Sequence, residues 1–142
     1  MLRVVVDTNL WIRALLGGKI TIPVLEAWRD DKFAVIASQH LIDELDNVWQ
    51  RPRLQARISS QDARLLIEQL RFRAEMVVPT TIPPRCRDPR DHPVLAAAID
   101  GHADAIVTGD ADLRADDELR AQMLQYGVEL CGVGTLLEQV QS

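Results

Sequence analysis

Lysine, aromatic residues and cysteine are all scarce in this chain of 142 residues. Lys19 and Lys32 are the only lysines among 16 basic residues, so 14 are arginines. No apolar run approaches the ~20 residues of a membrane-spanning helix. Cys86 and Cys131 are far apart, without the clustered spacing of a zinc site or a redox motif. Since the chain enters a predicted strand without a charged leader, we expect a cytoplasmic protein with reduced thiols and no membrane partner.

Negative charge predominates, with a net charge of −5, which by itself disfavours a nucleic-acid partner. The basic residues, however, are mostly arginines, the better bidentate ligands for phosphate. Five acidic residues assigned below to one site would account for the whole net charge. Divalent ions bound there would neutralise it, so net charge does not decide the class of partner.

Strand and helix patterns alternate along the whole chain. Strands are predicted at 2–6, 33–37, 76–78, 105–107 and 128–131, and helices at about 9–16, 22–30, 39–50, 60–73, 93–100, 116–125 and 134–139. Residues 79–93 hold five of the seven prolines and predict a rigid loop. This order predicts an α/β fold: one domain over 1–142, with a mostly parallel central sheet of four or five strands and helices on both faces.

Acidic residues stand where predicted strands end or helices begin. Asp7 closes the first strand, Asp91 precedes a helix, and Asp110 and Asp112 follow the strand at 105–107. Each has an alternative interpretation as a helix cap or solvated acid. Because the carboxyl ends of parallel strands meet at one edge, which is where ligands bind in such sheets, their coincidence favours a site.

Glu44 is the remaining candidate, on the helix that follows the second strand. It borders that helix's apolar stripe and lies close enough to the strand end to reach the same edge, although a surface helix acid is equally common. Clustered carboxylates repel one another, and divalent cations relieve the repulsion. Hard oxygen ligands select Mg²⁺ or Mn²⁺, ions that activate water and stabilise charge on a phosphodiester.

The motifs together resemble a known family. They are Val6-Asp7-Thr8-Asn9, Glu44 in a Leu-x-x-Glu-Leu helix, Arg87-Asp88-Pro89-Arg90-Asp91 before an alanine-rich helix, and Ala103 to Leu113 with its Thr-Gly-Asp-x-Asp-Leu segment. They resemble the PIN domain, and most of all the bacterial group of toxin components related to VapC-type ribonucleases. The resemblance covers essentially the whole chain.

That resemblance implies a metal-dependent endoribonuclease that cleaves single-stranded RNA with a metal-activated water. Asp7, Glu44, Asp91 and Asp110 match the family's catalytic acidic quartet, which would bind Mg²⁺ or Mn²⁺ together with Asp112 as the usual fifth acid. The choice between Asp91 and its neighbour Asp88 stays open.

Supporting roles and partners follow from the same resemblance. Asn9 and Thr108 match the family's polar helpers near the first and last acids. Arg85, Arg87 and Arg90 flank the acidic loop, so they are candidate RNA phosphate ligands, although solvated charge explains them equally well. A homodimer and an inhibitory antitoxin protein are the expected partners, and three tryptophans among so few aromatics fit a contact surface.

Three alternatives belong to other classes. A phosphotransfer domain also has an aspartate after its first strand, but it needs a late lysine, and no lysine follows Lys32. A catalytically weak PIN scaffold would bind a protein partner instead of cutting nucleic acid. A structure-specific DNA nuclease would use the same fold and metals, usually with long insertions that this chain lacks.

Overall fold

The computed structural model describes residues 1–141, which form five β-strands and nine α-helices. In chain order they are β1 (Arg3–Val6), α1 (Thr8–Leu15), α2 (Ile22–Arg29), β2 (Ala34–Ala37), α3 (Gln39–Trp49), α4 (Pro52–Gln55), α5 (Ser60–Arg73), β3 (Glu75–Met76), α6 (His92–Asp100), β4 (Ala105–Val107), α7 (Ala111–Ala115), α8 (Asp117–Gln125), β5 (Glu129–Cys131) and α9 (Val133–Gln141). A single 3-10 turn, Pro89–Asp91, leads into α6.

The central sheet has the strand order β3-β2-β1-β4-β5, and all its pairings within the described residues are parallel. This confirms the predicted parallel α/β sheet. The chain moves outward from β1 to β2 and β3, then returns to pair β4 on the other side of β1. The carboxyl ends of β1 and β4 therefore flank the point where strand order reverses, which is the usual ligand crevice of open α/β sheets.

Alternate residues of the strands pack into two separate apolar layers. Val4 and Val6 of β1 contact the layer formed with α1, α2, α3, α5 and α9. Val5 faces the opposite layer, formed mainly with α6, α7 and α8. Both faces of the sheet are thus covered by helices, as predicted, and strands buried on both sides account for the continuous runs of valine, isoleucine and alanine.

Two helices were not predicted from the sequence. No helix is predicted directly after the one at 39–50, but Pro52 opens α4, with Arg51 as its N-cap residue. No helix is predicted between Asp110 and the one at 116–125, but the short helix α7 forms there. The third strand is also shorter than predicted, at Glu75–Met76. Within residues 1–141 none of the helices combines the length and apolar character needed to cross a membrane.

The three tryptophans lie inside the molecule. Trp11, Trp28 and Trp49 are each less than 5% exposed, and all belong to one apolar layer. The indoles of Trp11 and Trp28 pack with their ring centroids 5.4 Å apart. Their number therefore reflects core packing, and it does not support the expected contact surface.

Candidate functional site

An acidic centre lies at the reversal point between β1 and β4. Asp7 directly follows β1, and Asp110 stands three positions beyond the end of β4. Val6 and Val107 are register partners, and the Asp7 backbone N–H donates to the Val107 carbonyl at 3.0 Å. The two parallel strands therefore deliver both acids to the same edge of the sheet.

The hydroxyl of Thr108 connects the two acidic segments. Its Oγ1 donates to Oδ2 of Asp7 at 2.9 Å and accepts the backbone N–H of Asp110 at 3.0 Å. Thr108 is fully buried, so both hydrogen bonds are shielded from water. The predicted helper residue thus fixes Asp7 relative to the loop that carries Asp110.

Both of these acids are also helix caps. Oδ1 of Asp7 accepts the Asn9 N–H at 3.3 Å at the start of α1. Oδ1 of Asp110 accepts the N–H groups of Asp112 and Leu113 at 2.9 and 3.3 Å. Within residues 1–141, Oδ2 of Asp110 makes no hydrogen bond. Capping and ligand binding are therefore compatible, since each carboxylate oxygen has two lone pairs.

Glu44 approaches the same edge from α3. That helix begins directly after β2, and its N-cap Ser38 accepts the Leu41 N–H at 3.3 Å. Glu44 is half-buried. Burial, and then the charge of Asp7, raise the pKa of its carboxyl above the ordinary value. The helix therefore brings Glu44 into the electrostatic field of the acid that follows β1.

Asp91 is the most strongly perturbed acid of the group. It stands at the N-terminus of α6, yet its side chain makes no capping hydrogen bond. Burial, followed by the charges of Asp7, Asp88 and Asp110, raises the pKa of its carboxyl to about 6, against an opposing effect of Arg90. The interpretation of Asp91 as a simple side-chain cap therefore does not hold, and its carboxylate is coupled to the acids after β1 and β4.

The four acids are electrostatically coupled without forming a closed cage. Within residues 1–141, no three His, Cys, Asp or Glu side chains are close enough together to hold a metal ion. The chemistry of the donors still fits a hard cation, because all are carboxylate oxygens. Burial, together with the charges of neighbouring acids, already raises the pKa of Glu44 and Asp91. Mg²⁺ commonly retains several waters and takes one or two carboxylates directly, so it requires no such cage.

The family model of the PIN domain matches residues 3–112. This chain belongs to the PIN domain family. PIN domains are generally nucleases and typically use divalent metals. The matched segment contains Asp7, Glu44, Asp91 and Asp110 and ends at Asp112. The comparison with curated proteins gave no match.

Two other acids of this PIN domain are turned toward arginines. The carboxylate of Asp112 is 79% exposed and lies 3.9 Å from Nη1 of Arg87. The carboxylate of Asp88 accepts hydrogen bonds from Nε and Nη2 of Arg90 at 3.0 to 3.2 Å, and these bonds lower the pKa of its carboxyl. Since Asp88 is engaged in this way, the geometry favours Asp91 as the third acid of the centre. Asp112 remains a predicted ligand whose contribution requires rotation away from Arg87.

The predicted polar and basic helpers of the PIN domain are placed differently. Asn9 is exposed and contributes its backbone N–H to Asp7. Arg90 is occupied by Asp88, whereas Arg85 and Arg87 line a shallow opening beside Asp112. RNA contact by these three arginines remains a prediction.

A second opening beside the acids was not predicted. It shares Thr108 and Gly109 with the acidic centre and is lined by four basic residues: Arg13, Lys19, Arg57 and Arg114. They come from four separate segments, so no local sequence pattern groups them. The only local signals are the glycine pair before Lys19 and the two glycines after β5.

Proposed function

We propose that this PIN domain is an endoribonuclease that cleaves single-stranded RNA by metal-assisted attack of water. The observation that supports this proposal best is the electrostatic coupling among Asp7, Glu44, Asp91 and Asp110. They lie where the strand order of the PIN-domain sheet reverses, between β1 and β4. The charge of Asp7 acts there on Glu44 and Asp91, and the charge of Asp110 acts on Asp91. Such an arrangement costs stability unless cations bind, which is the property expected of a metal-dependent nuclease centre.

The four carboxylates would hold Mg²⁺ or Mn²⁺, in part through water. When bound, such an ion lowers the pKa of a water molecule and stabilises negative charge on the phosphate. Thr108 keeps the Asp7 carboxylate oriented, and the caps of α1 and α7 keep the acids at the strand ends. Burial, and then the charges of neighbouring acids, raise the pKa values of Glu44 and Asp91, and a bound cation would lower them and favour the charged carboxylates that ligate it.

The substrate assignment rests on the short connections around the centre. α1 begins at the residue after Asp7, and α7 begins at the residue after Asp110. Without a long insertion at these strand ends, the crevice suits a flexible single strand better than a gripped duplex. Hydrolysis by water predicts products with a 5′-phosphate.

The test is incubation of the purified protein with single-stranded RNA and Mn²⁺, with EDTA and Asp110→Asn as controls. Asparagine retains helix-capping ability, so Asp110→Asn should fold normally while losing a metal ligand. Asp30→Asn, an exposed acid at the end of α2, is the matched control and should cut like the wild type. Cleavage that survives EDTA and Asp110→Asn, or products ending in a 2′,3′-cyclic phosphate, would exclude this mechanism.

The same assay separates the alternatives. A catalytically weak scaffold would leave RNA intact at any Mn²⁺ concentration, and a DNA nuclease would prefer branched or duplex DNA over single-stranded RNA.

We further propose a toxin role with a homodimer and an inhibitory antitoxin. An arginine of the antitoxin would pair with the acidic centre, since guanidinium groups bind carboxylates bidentately. Exposed apolar residues near the edge strand β3, Phe72, Val78 and Ile82, provide a surface for association. Light scattering should report a dimer at high micromolar concentration, and a monomer there would contradict the dimer.

A further inference from the structure

The basic opening next to the acidic centre has the dimensions of a nucleotide site. Its volume is about 780 Å³, within the range of small-molecule pockets. Its wall includes Thr108, which hydrogen bonds to Asp7, and Gly109, which precedes Asp110. A ligand in this opening would therefore touch the loop that carries the last acid of the centre.

Four cations line the opening, and no acid does. Arg13 lies on α1, Lys19 in the turn after it, Arg57 after α4 and Arg114 on α7. None of the four takes part in an ion pair within residues 1–141. In a chain with a net charge of −5, four unpaired cations around one concave surface strongly favour an anionic ligand.

Two glycines bring guanidinium groups close to the loop backbone. A Cβ atom on Gly109 would lie 2.6 Å from Nη1 of Arg13, and one on Gly132 would lie 2.9 Å from Nη1 of Arg114. Only residues without a side chain leave room for this approach. Arg13 is thereby placed against the residue between Thr108 and Asp110, which puts a positive charge beside the acidic centre.

Arg114 carries an unused donor. Its Nε is buried and has no hydrogen-bond partner within the described residues. A buried N–H without a partner is costly and rare, and a rotation of the Arg114 side chain toward the opening would let a phosphate oxygen accept it. Arginine is also the residue best suited to bidentate phosphate binding. The unpaired Nε of Arg114 is a separate observation from the number of cations around the opening, and it also indicates an oxyanion ligand.

Apolar side chains complete the wall. Leu10, Leu16 and Val133 line the opening together with the cations. A free inorganic anion gains nothing from such surface, whereas a nucleoside gains from burying its base and ribose.

We propose that this basic pocket binds a phosphate and the attached nucleoside of single-stranded RNA, one step along the strand from the bond at the acidic centre. This inference rests on the proposed function for its choice of RNA as the nucleic acid. The pocket holds the strand while the acids act on the neighbouring phosphodiester. Arg13 and Arg114 are positioning residues, since they hold substrate without meeting the reacting atoms.

The experiment measures RNA binding separately from cleavage. Fluorescence anisotropy follows a labelled single-stranded RNA oligomer bound to Asp110→Asn protein in Mn²⁺, with Arg13→Gln or Arg114→Gln added. Each added substitution should weaken binding about 10-fold or more, because a charged hydrogen bond is removed. The slope of log affinity against log salt should fall by about 0.7 for each phosphate that the protein no longer neutralises.

Controls keep the result interpretable. Arg64→Gln, on the exposed face of α5 and outside the pocket, should leave affinity and salt slope unchanged. Arg13→Lys retains the charge and should restore most of the binding. Thermal melting checks that each variant folds, and a melting temperature close to that of the wild type is the condition for interpreting its binding. Normal binding by both glutamine variants, or equal losses with Arg64→Gln, would overturn the pocket assignment.

Competition distinguishes the ligand classes. AMP should displace the RNA at lower concentration than inorganic phosphate, since it also fills the apolar part. Equal competition by the two would overturn the nucleoside part of the proposal. Tighter binding of polyglutamate than of RNA would assign the pocket to an acidic protein segment and overturn the RNA assignment.

The pocket assignment and the proposed nuclease activity can each be contradicted without the other. If the wild-type protein cuts no RNA but the glutamine variants lose RNA binding, the proposed activity is wrong and the pocket assignment stands. If the wild type cuts RNA and the variants bind and cut normally, only the pocket assignment is wrong.

Discussion

At the scale of single residues, the sequence predicted which acids lie near one edge of the sheet but not the hydrogen bonds and ion pairs that each of them makes. Asp7 and Asp110 were predictable because each directly follows a recognisable β-branched strand or its Thr-Gly turn. The choice of Asp91 over Asp88 was not predictable, because it depends on Arg90 folding back onto Asp88. The contact of Asp112 with Arg87, which comes from a distant loop, was likewise not predictable. Side-chain pairing across loops follows from three-dimensional placement, which periodicity does not encode.

The raised pKa of Asp91 predicts a stability change with pH. Its carboxyl has a pKa of about 6 in the folded chain against an ordinary value of 3.8, so the folded state binds the proton more tightly. The free energy of unfolding of the metal-free protein should therefore fall as pH rises from about 4 to about 6 and stay lower above that.

Asp91→Asn should remove this fall. Because the side chain keeps access to solvent, which screens the repulsion, we expect the metal-free variant to be more stable than wild type at pH 7 by roughly 1 kcal/mol. Urea denaturation in EDTA at several pH values measures the difference, with Asp30→Asn as control. Parallel pH profiles for wild type and Asp91→Asn would contradict the prediction.

At the scale of elements, helix starts determine the geometry of the centre. α3 was predicted from its apolar stripe, and the structure confirms its boundaries to within a residue. α7 escaped prediction because five residues are too few for a periodic pattern. The basic pocket was not predicted for a related reason, since two of its four cations lie on helices and two in loops, and only tertiary packing brings them together.

The cap of α3 offers a matched pair of variants. Ser38→Ala and Ser59→Ala each remove a hydroxyl that accepts a backbone N–H at 3.3 Å, at the starts of α3 and α5. Each should cost about 1 kcal/mol of stability. Ser38→Ala alone should also lower RNA cleavage severalfold, because α3 carries Glu44.

Urea denaturation and initial cleavage rates measure the two effects. Equal activity of the two alanine variants would mean that the cap does not set the position of Glu44.

At the scale of the whole molecule, charge of opposite sign is divided between adjoining surfaces. The carboxylates of the acidic centre repel one another. The four cations of the basic pocket also repel one another, and that pocket adjoins the acidic centre at Thr108 and Gly109. Fold class and strand order followed from the βα alternation because connection rules leave few topologies. The separation of acidic and basic residues onto two adjoining surfaces was not predictable from the sequence, because the net charge is a sum over both surfaces.

Binding of a cation should therefore stabilise the whole domain. We expect Mn²⁺ to raise the melting temperature of the wild type, with about 2.7 kcal/mol gained at a hundredfold excess over Kd. Asp7→Asn should raise the metal-free melting temperature, because it relieves Glu44 and Asp91, and should reduce the Mn²⁺ effect. Asparagine keeps one oxygen that can cap α1, but its amide NH2 cannot accept the Thr108 hydroxyl, so the variant removes that hydrogen bond together with the charge.

Differential scanning fluorimetry over a Mn²⁺ titration measures both shifts. Undiminished Mn²⁺ stabilisation of Asp7→Asn would exclude Asp7 as a ligand.

The hydrogen bond between Thr108 and Asp7 spans 101 positions of the chain, and this distance has a consequence for synthesis. The ribosome adds Asp7 101 residues before Thr108, an interval of roughly 5–20 s at about 5–20 residues per second. During it the first strand has no β4 to pair with, and the acids cannot meet Asp110. The acidic centre is therefore incomplete until β4 and the loop after it have been made, and any activity that needs all four acids starts only then.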